Sequence, residues 1–87
     1  MKEVKMFMFD ACPHCKKAFL LMDEICKENP EYRKVKINMI DEKKQPDYAA
    51  LFDYYYVPTF YVDGMKLHEG APTKESLTKI YAEAIKK

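Results

Sequence analysis

The pattern of hydrophobic and polar positions along the chain predicts strands and helices in alternation. The run from Val4 to Phe9 is mostly apolar and contains no proline or glycine, which predicts a central, buried strand. After Pro13, apolar residues recur at spacings of three and four and predict a helix that stops near Asn29 and Pro30. The buried face of this helix is expected to hold Cys15, Ala18, Phe19, Met22, Ile25 and Cys26.

The middle of the chain predicts a second strand and a short helix. Residues 32–39 alternate apolar and polar side chains, which is typical of a strand with one exposed face. The lysines in this segment favour an edge position, where charge discourages aggregation. Residues 41–45 form a charged connection, after which Pro46 and Asp47 are expected to open a short helix through Phe52.

The last third of the chain predicts a hairpin and a final helix. Asp63-Gly64 separates the strand at 60–62 from the strand at 65–68, and this dipeptide favours the positive φ angles of a type I′ turn. Thr73 is the expected N-cap of an amphipathic helix. The apolar stripe of that helix consists of Leu77, Ile80, Tyr81 and Ala84.

The order β-α-β-α-β-β-α predicts an α/β fold in which helices flank a four-stranded mixed sheet. A chain of 87 residues has room for one hydrophobic core, so residues 1–87 are expected to form a single domain. The formal net charge of +1 gives no field that would attract nucleic acid or anionic lipid. No signal-peptide pattern or long apolar run is seen, and the odd count of three cysteines favours a reducing compartment. A cytoplasmic location is therefore expected.

Cys12 and Cys15 carry the strongest chemical signal, because they lie where the first strand passes into the first helix. Unpaired backbone N–H groups and the helix dipole favour a thiolate at Cys12. This thiolate is expected to attack a substrate disulfide, and Cys15 to displace the product from the mixed disulfide. Pro13 suits the first helical turn, and a protonated His14 would stabilise the thiolate and make the pair more oxidising.

Other conspicuous residues allow simpler interpretations. Two cysteines at this spacing could be half of a zinc site, but only Cys26, His14 and His68 remain as further ligands, so no metal site is expected. Cys26 is expected to be a buried residue without a redox role, and His68 a surface residue. Tyr54-Tyr55-Tyr56 could line a peptide or nucleobase groove, although core packing with an exposed rim is favoured.

The ordered set of motifs resembles the thioredoxin superfamily over nearly the whole chain. The motifs are Cys12-Pro13-His14-Cys15, Val57-Pro58-Thr59, Asp63-Gly64 and Gly70. The resemblance implies that the peptide bond before Pro58 is cis and that Pro58 lies against the two cysteines. It also implies that Val57 and Pro58 contact a bound substrate strand, with Tyr56 beside the same groove.

Some motif residues resemble the glutaredoxin subfamily and others the thioredoxin subfamily. Cys12-Pro13-His14-Cys15 followed by Lys16-Lys17-Ala18 resembles the glutaredoxin site, but Glu69-Gly70-Ala71 lacks the double glycine that receives the glutathione carboxylate. Phe9 also replaces the lysine that glutaredoxins usually carry before the first cysteine. The segment from Pro58 onward looks closer to thioredoxin, although Met6 stands where that family has a buried aspartate.

These features predict a thiol–disulfide oxidoreductase that needs no bound cofactor. Its expected substrates are disulfide-containing proteins or small thiols, and its expected reductant is a thioredoxin-reductase-like enzyme or glutathione. The protein is expected to be a monomer without nucleic-acid or membrane partners. Two other classes stay open: a binding module that holds a protein near Tyr56 and Pro58, and a metal-handling protein whose cysteine pairs from two chains share an iron–sulfur cluster.

Overall fold

A four-stranded mixed sheet with helices on both faces forms the framework of the protein in a computed structural model that describes residues 1–86. The elements are β1 (Val4–Met8), α1 (Pro13–Glu28), a 3₁₀ helix (Pro30–Lys34), β2 (Ile37–Asp41), α2 (Pro46–Ala49), β3 (Thr59–Val62), β4 (Met65–Glu69) and α3 (Lys74–Ile85). The strand order is β2-β1-β3-β4, with β1 parallel to β2 and β3 antiparallel to both of its neighbours. The predicted α/β architecture, with β1 in the centre and β2 at an edge, is confirmed.

Alternate residues of β1 point into two separate cores. Val4, Met6 and Met8 pack with buried residues of α1 and α3 on one face of the sheet. Phe7 packs on the other face with Ile40 and with residues around α2. The uninterrupted apolar sequence of β1 follows from this burial on both faces.

Helices α1 and α3 cover the first face through apolar side chains three and four positions apart. The buried ones are Cys15, Ala18, Met22 and Ile25 of α1 and Leu77, Ile80, Tyr81 and Ala84 of α3. The start of α3 is fixed by Thr73, whose hydroxyl accepts the N–H of Ser76 at 3.0 Å while the Ser76 hydroxyl accepts the N–H of Thr73 at 3.1 Å. The predicted N-cap is confirmed.

The predicted strand at 32–39 is partly wrong. Its first half is the 3₁₀ helix Pro30–Lys34, and pairing with β1 begins only at Ile37, opposite Val4. Tyr32 and Val35 are three positions apart, which places them on one face of a 3₁₀ helix but on opposite faces of a strand. The Tyr32 ring stacks on the ring of Tyr81 with centroids 5.4 Å apart, so tertiary packing selects the helical form.

Helix α2 is shorter than predicted. It ends at Ala49, and the N–H of Phe52 donates to the Ala49 carbonyl at 3.1 Å in a turn. Because Phe52 lies outside the helix, its ring packs against two other rings. The centroid distances are 4.7 Å to Phe7 and 5.2 Å to Tyr61. The aromatic packing on this face thus replaces the last predicted helical turn.

The turn between β3 and β4 has the predicted geometry. Asp63 and Gly64 adopt φ angles of 47° and 83°, as a type I′ turn requires. The Asp63 carboxylate accepts the N–H of Glu3, and the Asp63 N–H donates to the Glu3 carbonyl, both at 2.9 Å. These bonds join the hairpin to the segment that leads into β1.

Candidate active site

Cys12 lies at the N-terminus of α1, directly after the loop that follows β1. Its backbone is extended, with φ −75° and ψ 120°, and its carbonyl accepts the N–H of Lys16 at 3.1 Å. Pro13 occupies the first helical position, where an N–H would have no partner in the helix. The Cys12 sulfur is therefore next to the unpaired N–H groups and positive dipole end of a 16-residue helix, which favour a negative charge.

The two cysteines of the pair differ in burial. The exposed fraction is 6% for Cys12 and 0% for Cys15, and both are free thiols. The pKa of Cys15 is raised to about 12, chiefly by burial; a backbone hydrogen bond with Phe9 opposes the rise and a hydrogen bond with Cys12 contributes to it. Cys15 is therefore a protonated thiol at neutral pH in the reduced protein.

The loop before β3 lies against Cys12. The Sγ atom of Cys12 is 3.9 Å from the carbonyl oxygen of Val57, and the Val57–Pro58 peptide bond is cis. Pro58 is buried, and its carbonyl accepts the N–H of Gly70 at 3.0 Å. The carbonyl of Val57, which the resemblance expects to contact substrate, is thus brought to Cys12, and Pro58 follows it in the same loop.

The three consecutive tyrosines divide between the core and the surface. The Tyr54 ring lies 5.0 Å from that of Phe7, and its hydroxyl donates to Glu42 Oε1 at 2.7 Å. Burial and the Glu42 carboxylate both raise the pKa of Tyr54. Tyr55 and Tyr56 are 87% and 70% exposed, so the favoured interpretation of core packing with an exposed rim is confirmed.

The remaining candidate residues have different surroundings. His14 is exposed in the first turn of α1. His68 is half-buried in β4, where its Nε2 atom is 3.0 Å from the carbonyl oxygen of Gly70. Cys26 is half-buried rather than fully buried, and its hydrogen bond with Tyr81, together with the burial of that phenol, raises the pKa of Tyr81.

Two kinds of feature are not found in the part of the chain that the structure describes. No group of three or more His, Cys, Asp or Glu side chains within residues 1–86 has an arrangement that could hold a metal ion. No helix within the same residues has the length and apolar character needed to cross a membrane.

Glu69 contacts the loop that precedes Val57, although the sequence analysis gave it no role. Its Oε2 atom accepts the backbone N–H groups of Tyr55 and Tyr56, which precede Val57. The contacts span 14 and 13 residues, so no local periodicity could reveal them. The one available signal is an acidic residue at the end of a hairpin strand, directly before Gly70.

A dithiol at a helix N-terminus, set against a proline loop in this mixed sheet, defines a thioredoxin-fold protein. A family model described as a thioredoxin domain matches residues 2–82. A thioredoxin from Methanocaldococcus jannaschii is 36% identical over 85 residues, which is 98% of this chain and 93% of that protein. The chain therefore belongs to the thioredoxin family.

Solved structures show the same fold at lower sequence identity. The oxidised thioredoxin from Plasmodium falciparum is similar with a TM-score of 0.68 and 20% identity, and the match covers 94% of this chain and 79% of that one. Desulfothioredoxin from Desulfovibrio vulgaris Hildenborough, in its reduced form, is similar with a TM-score of 0.66 and 24% identity, over 94% and 80% of the two chains. The predicted thioredoxin fold is confirmed.

Proposed function

We propose that this protein is a thiol–disulfide oxidoreductase in which Cys12 is the attacking thiol and Cys15 the resolving thiol. Membership of the thioredoxin family supports the general activity. The observation that carries the assignment of roles is the difference in burial, because Cys12 keeps 6% exposure and Cys15 has none. A substrate disulfide approaching from solvent reaches Cys12 first, at the end of the helix that favours its thiolate.

The reaction takes place in two exchange steps. The Cys12 thiolate attacks one sulfur of the substrate disulfide, so that a mixed disulfide forms and the first substrate thiolate leaves and takes up a proton. Cys15 then loses its proton and attacks the Cys12 sulfur, which releases the second substrate thiolate. That thiolate takes up one proton in turn. The substrate gains two electrons, and the protein is left with a Cys12–Cys15 disulfide.

The loop before β3 is the proposed substrate-binding segment. Val57 lies beside Cys12 and is followed by Pro58, and an extended substrate strand would pair with the backbone of Val57. Tyr56 presents a ring that is 70% exposed next to the same loop and offers an apolar contact to the substrate. His14, exposed in the first turn of α1, is the proposed tuner of the potential, and Pro13 fixes the helix start.

The electrons that regenerate the dithiol come from an external reductant. A thioredoxin-reductase-like enzyme and glutathione are the two proposed sources, and the measured potential discriminates between them. We propose that the protein acts in the cytoplasm as a monomer built from one domain over residues 1–87. The chain contains both cysteines of the pair, which a pure binding module would not need.

The test is reduction of insulin by dithiothreitol with the wild-type protein and three cysteine variants. Cys12→Ser is expected to abolish turnover. When reduced Cys15→Ser is mixed with insulin after dithiothreitol has been removed, it is expected to accumulate a mixed disulfide that mass spectrometry detects. Cys26→Ser serves as the matched control, because Cys26 lies farther along α1, beside Tyr81. This variant is expected to reduce insulin at the wild-type rate. Undiminished turnover by Cys12→Ser would overturn the proposal.

A further inference from the structure

One carboxylate reaches across from β4 to the backbone of the substrate loop. The Oε2 atom of Glu69 accepts the N–H of Tyr55 and, at 3.0 Å, the N–H of Tyr56. The other oxygen, Oε1, accepts from Lys66 Nζ at 2.7 Å. A single side chain therefore binds two consecutive backbone donors and one cation.

The rings of Tyr55 and Tyr56 do little to hold this part of the loop. They are 87% and 70% exposed, so they bury little apolar surface against the rest of the protein. Further along, the hydroxyl of the buried Thr59 donates to the Tyr56 carbonyl, and the Gly70 N–H donates to the Pro58 carbonyl at 3.0 Å. Hydrogen bonds rather than ring packing thus hold Tyr55 and Tyr56, whereas Val57 and Pro58 also pack into the core.

The charge of Glu69 is maintained by its partners. Hydrogen bonds from Lys66 and from the two backbone N–H groups lower the pKa of Glu69 to about 2. The side chain is therefore ionised throughout the neutral range. An ionised acceptor binds a backbone N–H about twice as strongly as a neutral one does.

We propose that Glu69 is a positioning residue for disulfide exchange. By binding the N–H groups of Tyr55 and Tyr56, it fixes the backbone that leads to Val57 and so places the Val57 carbonyl beside Cys12. This inference rests on the proposed function, and it predicts a role in substrate binding rather than in the reactivity of the Cys12 sulfur itself.

The alternative explanation is that Glu69 only stabilises the hairpin through its ion pair with Lys66. The two explanations differ in what each variant does. Lys66→Met removes the ion pair and the 3.3 Å bond from Lys66 Nζ to the Asp53 carbonyl, but leaves both backbone bonds to Glu69. Glu69→Ala removes the ion pair and both backbone bonds. Glu69→Gln keeps an oxygen that can accept an N–H but carries no charge.

The experiment measures two reactions for each folded variant: steady-state reduction of insulin, and alkylation of Cys12 by iodoacetamide. Glu69→Ala is expected to raise KM for insulin by about tenfold or more, because small displacements of a binding segment weaken productive orientation strongly. Its alkylation rate is expected to stay within about twofold of the wild type, since iodoacetamide needs no substrate loop. Glu69→Gln is expected to fall between Glu69→Ala and the wild type, and Lys66→Met to match the wild type.

Amide hydrogen exchange gives a second readout of the same bonds. Faster exchange at Tyr55 and Tyr56 in Glu69→Ala, with Lys66→Met unchanged, would support the positioning role. A wild-type KM for Glu69→Ala, or an equal rise for Lys66→Met, would overturn it. If Glu69→Ala fails to fold, a wild-type KM for Glu69→Gln would overturn the positioning role instead.

The failure of this inference and the failure of the proposed function give different results. If the wild type does not reduce insulin, the exchange activity is refuted and the role of Glu69 in it falls as well. If the wild type is active and Cys12→Ser is inactive while Glu69→Ala keeps the wild-type KM, only the positioning role is refuted.

Discussion

The Sγ atom of Cys12 lies 3.9 Å from the carbonyl oxygen of Val57, although 45 positions separate the two residues. The register of the central strands accounts for this contact. Phe7 of β1 stands opposite Thr59 of β3 in an antiparallel pair. Because β1 and β3 are antiparallel, the end of β1 lies beside the start of β3. Cys12, which follows β1, and Val57, which precedes β3, are therefore at the same end of these two strands. The contact between Cys12 and Val57 is thus a consequence of strand pairing.

The stability of the reduced protein is expected to fall as pH rises from about 9 to about 12. The pKa of Cys15 is raised from an ordinary value of 9.0 to about 12, chiefly by burial, so the folded state holds this proton more tightly than the unfolded state. Stability from this group is fully present below the unfolded pKa and is lost as pH rises through the folded one. Urea unfolding of the reduced protein at a series of pH values measures the loss.

Cys15→Ala is the control for this pH dependence. The raised pKa values of Tyr54 and Tyr81 act in the same direction, so some loss of stability persists in the variant. The loss is expected to be smaller than in the wild type, because the Cys15 proton no longer contributes. Identical curves for the two proteins would show that Cys15 is not held protonated by the fold.

Replacing His14 is expected to make the cysteine pair less oxidising. His14 is exposed in the first helical turn, between Cys12 and Cys15, where an imidazole can stabilise the thiolate of the reduced form by charge or by a hydrogen bond. Each 1.4 kcal/mol of such stabilisation corresponds to about 30 mV for a two-electron couple, so His14→Gln is expected to lower the potential by a shift of this order. Equilibration with glutathione buffers measures the potential of both proteins.

Lys17→Gln is the matched control for His14, because it removes an exposed cation further along the same helix. Its potential is expected to remain close to that of the wild type. A potential that does not fall in His14→Gln would contradict the tuning role. The wild-type value itself separates a thioredoxin-like reductant, near about −270 mV, from a glutaredoxin-like protein at about −200 mV or above.

The parts of the fold that could be predicted are those that local chemistry determines. The apolar run of β1, the period of α1 and the Asp63-Gly64 turn each depend on neighbouring residues, and the structure contains all three. The segment around Tyr32 could not be assigned from its pattern, because contact with Tyr81 decides between a strand and a 3₁₀ helix.

The same distinction applies to the site. The spacing of Cys12 and Cys15 is local and predicted the dithiol. Glu69 could not be assigned a role, because its bonds to Tyr55 and Tyr56 depend on how the hairpin lies beside the loop. The greater burial of Cys15 likewise depends on its place in the core that residues of α1, α3 and β1 share, rather than on the motif itself.

Tyr54→Phe is expected to lower the free energy of unfolding by about 1 to 2 kcal/mol, since a part-buried Glu42 carboxylate loses its hydroxyl donor. The ring is retained, so its contact with Phe7 remains and no cavity forms. Tyr55→Phe is the control, because that side chain is 87% exposed, and it is expected to change stability by less than about 0.5 kcal/mol. Urea unfolding of both variants measures the difference, and an equal loss in the two would show that the 2.7 Å bond from Tyr54 to Glu42 contributes no net stability.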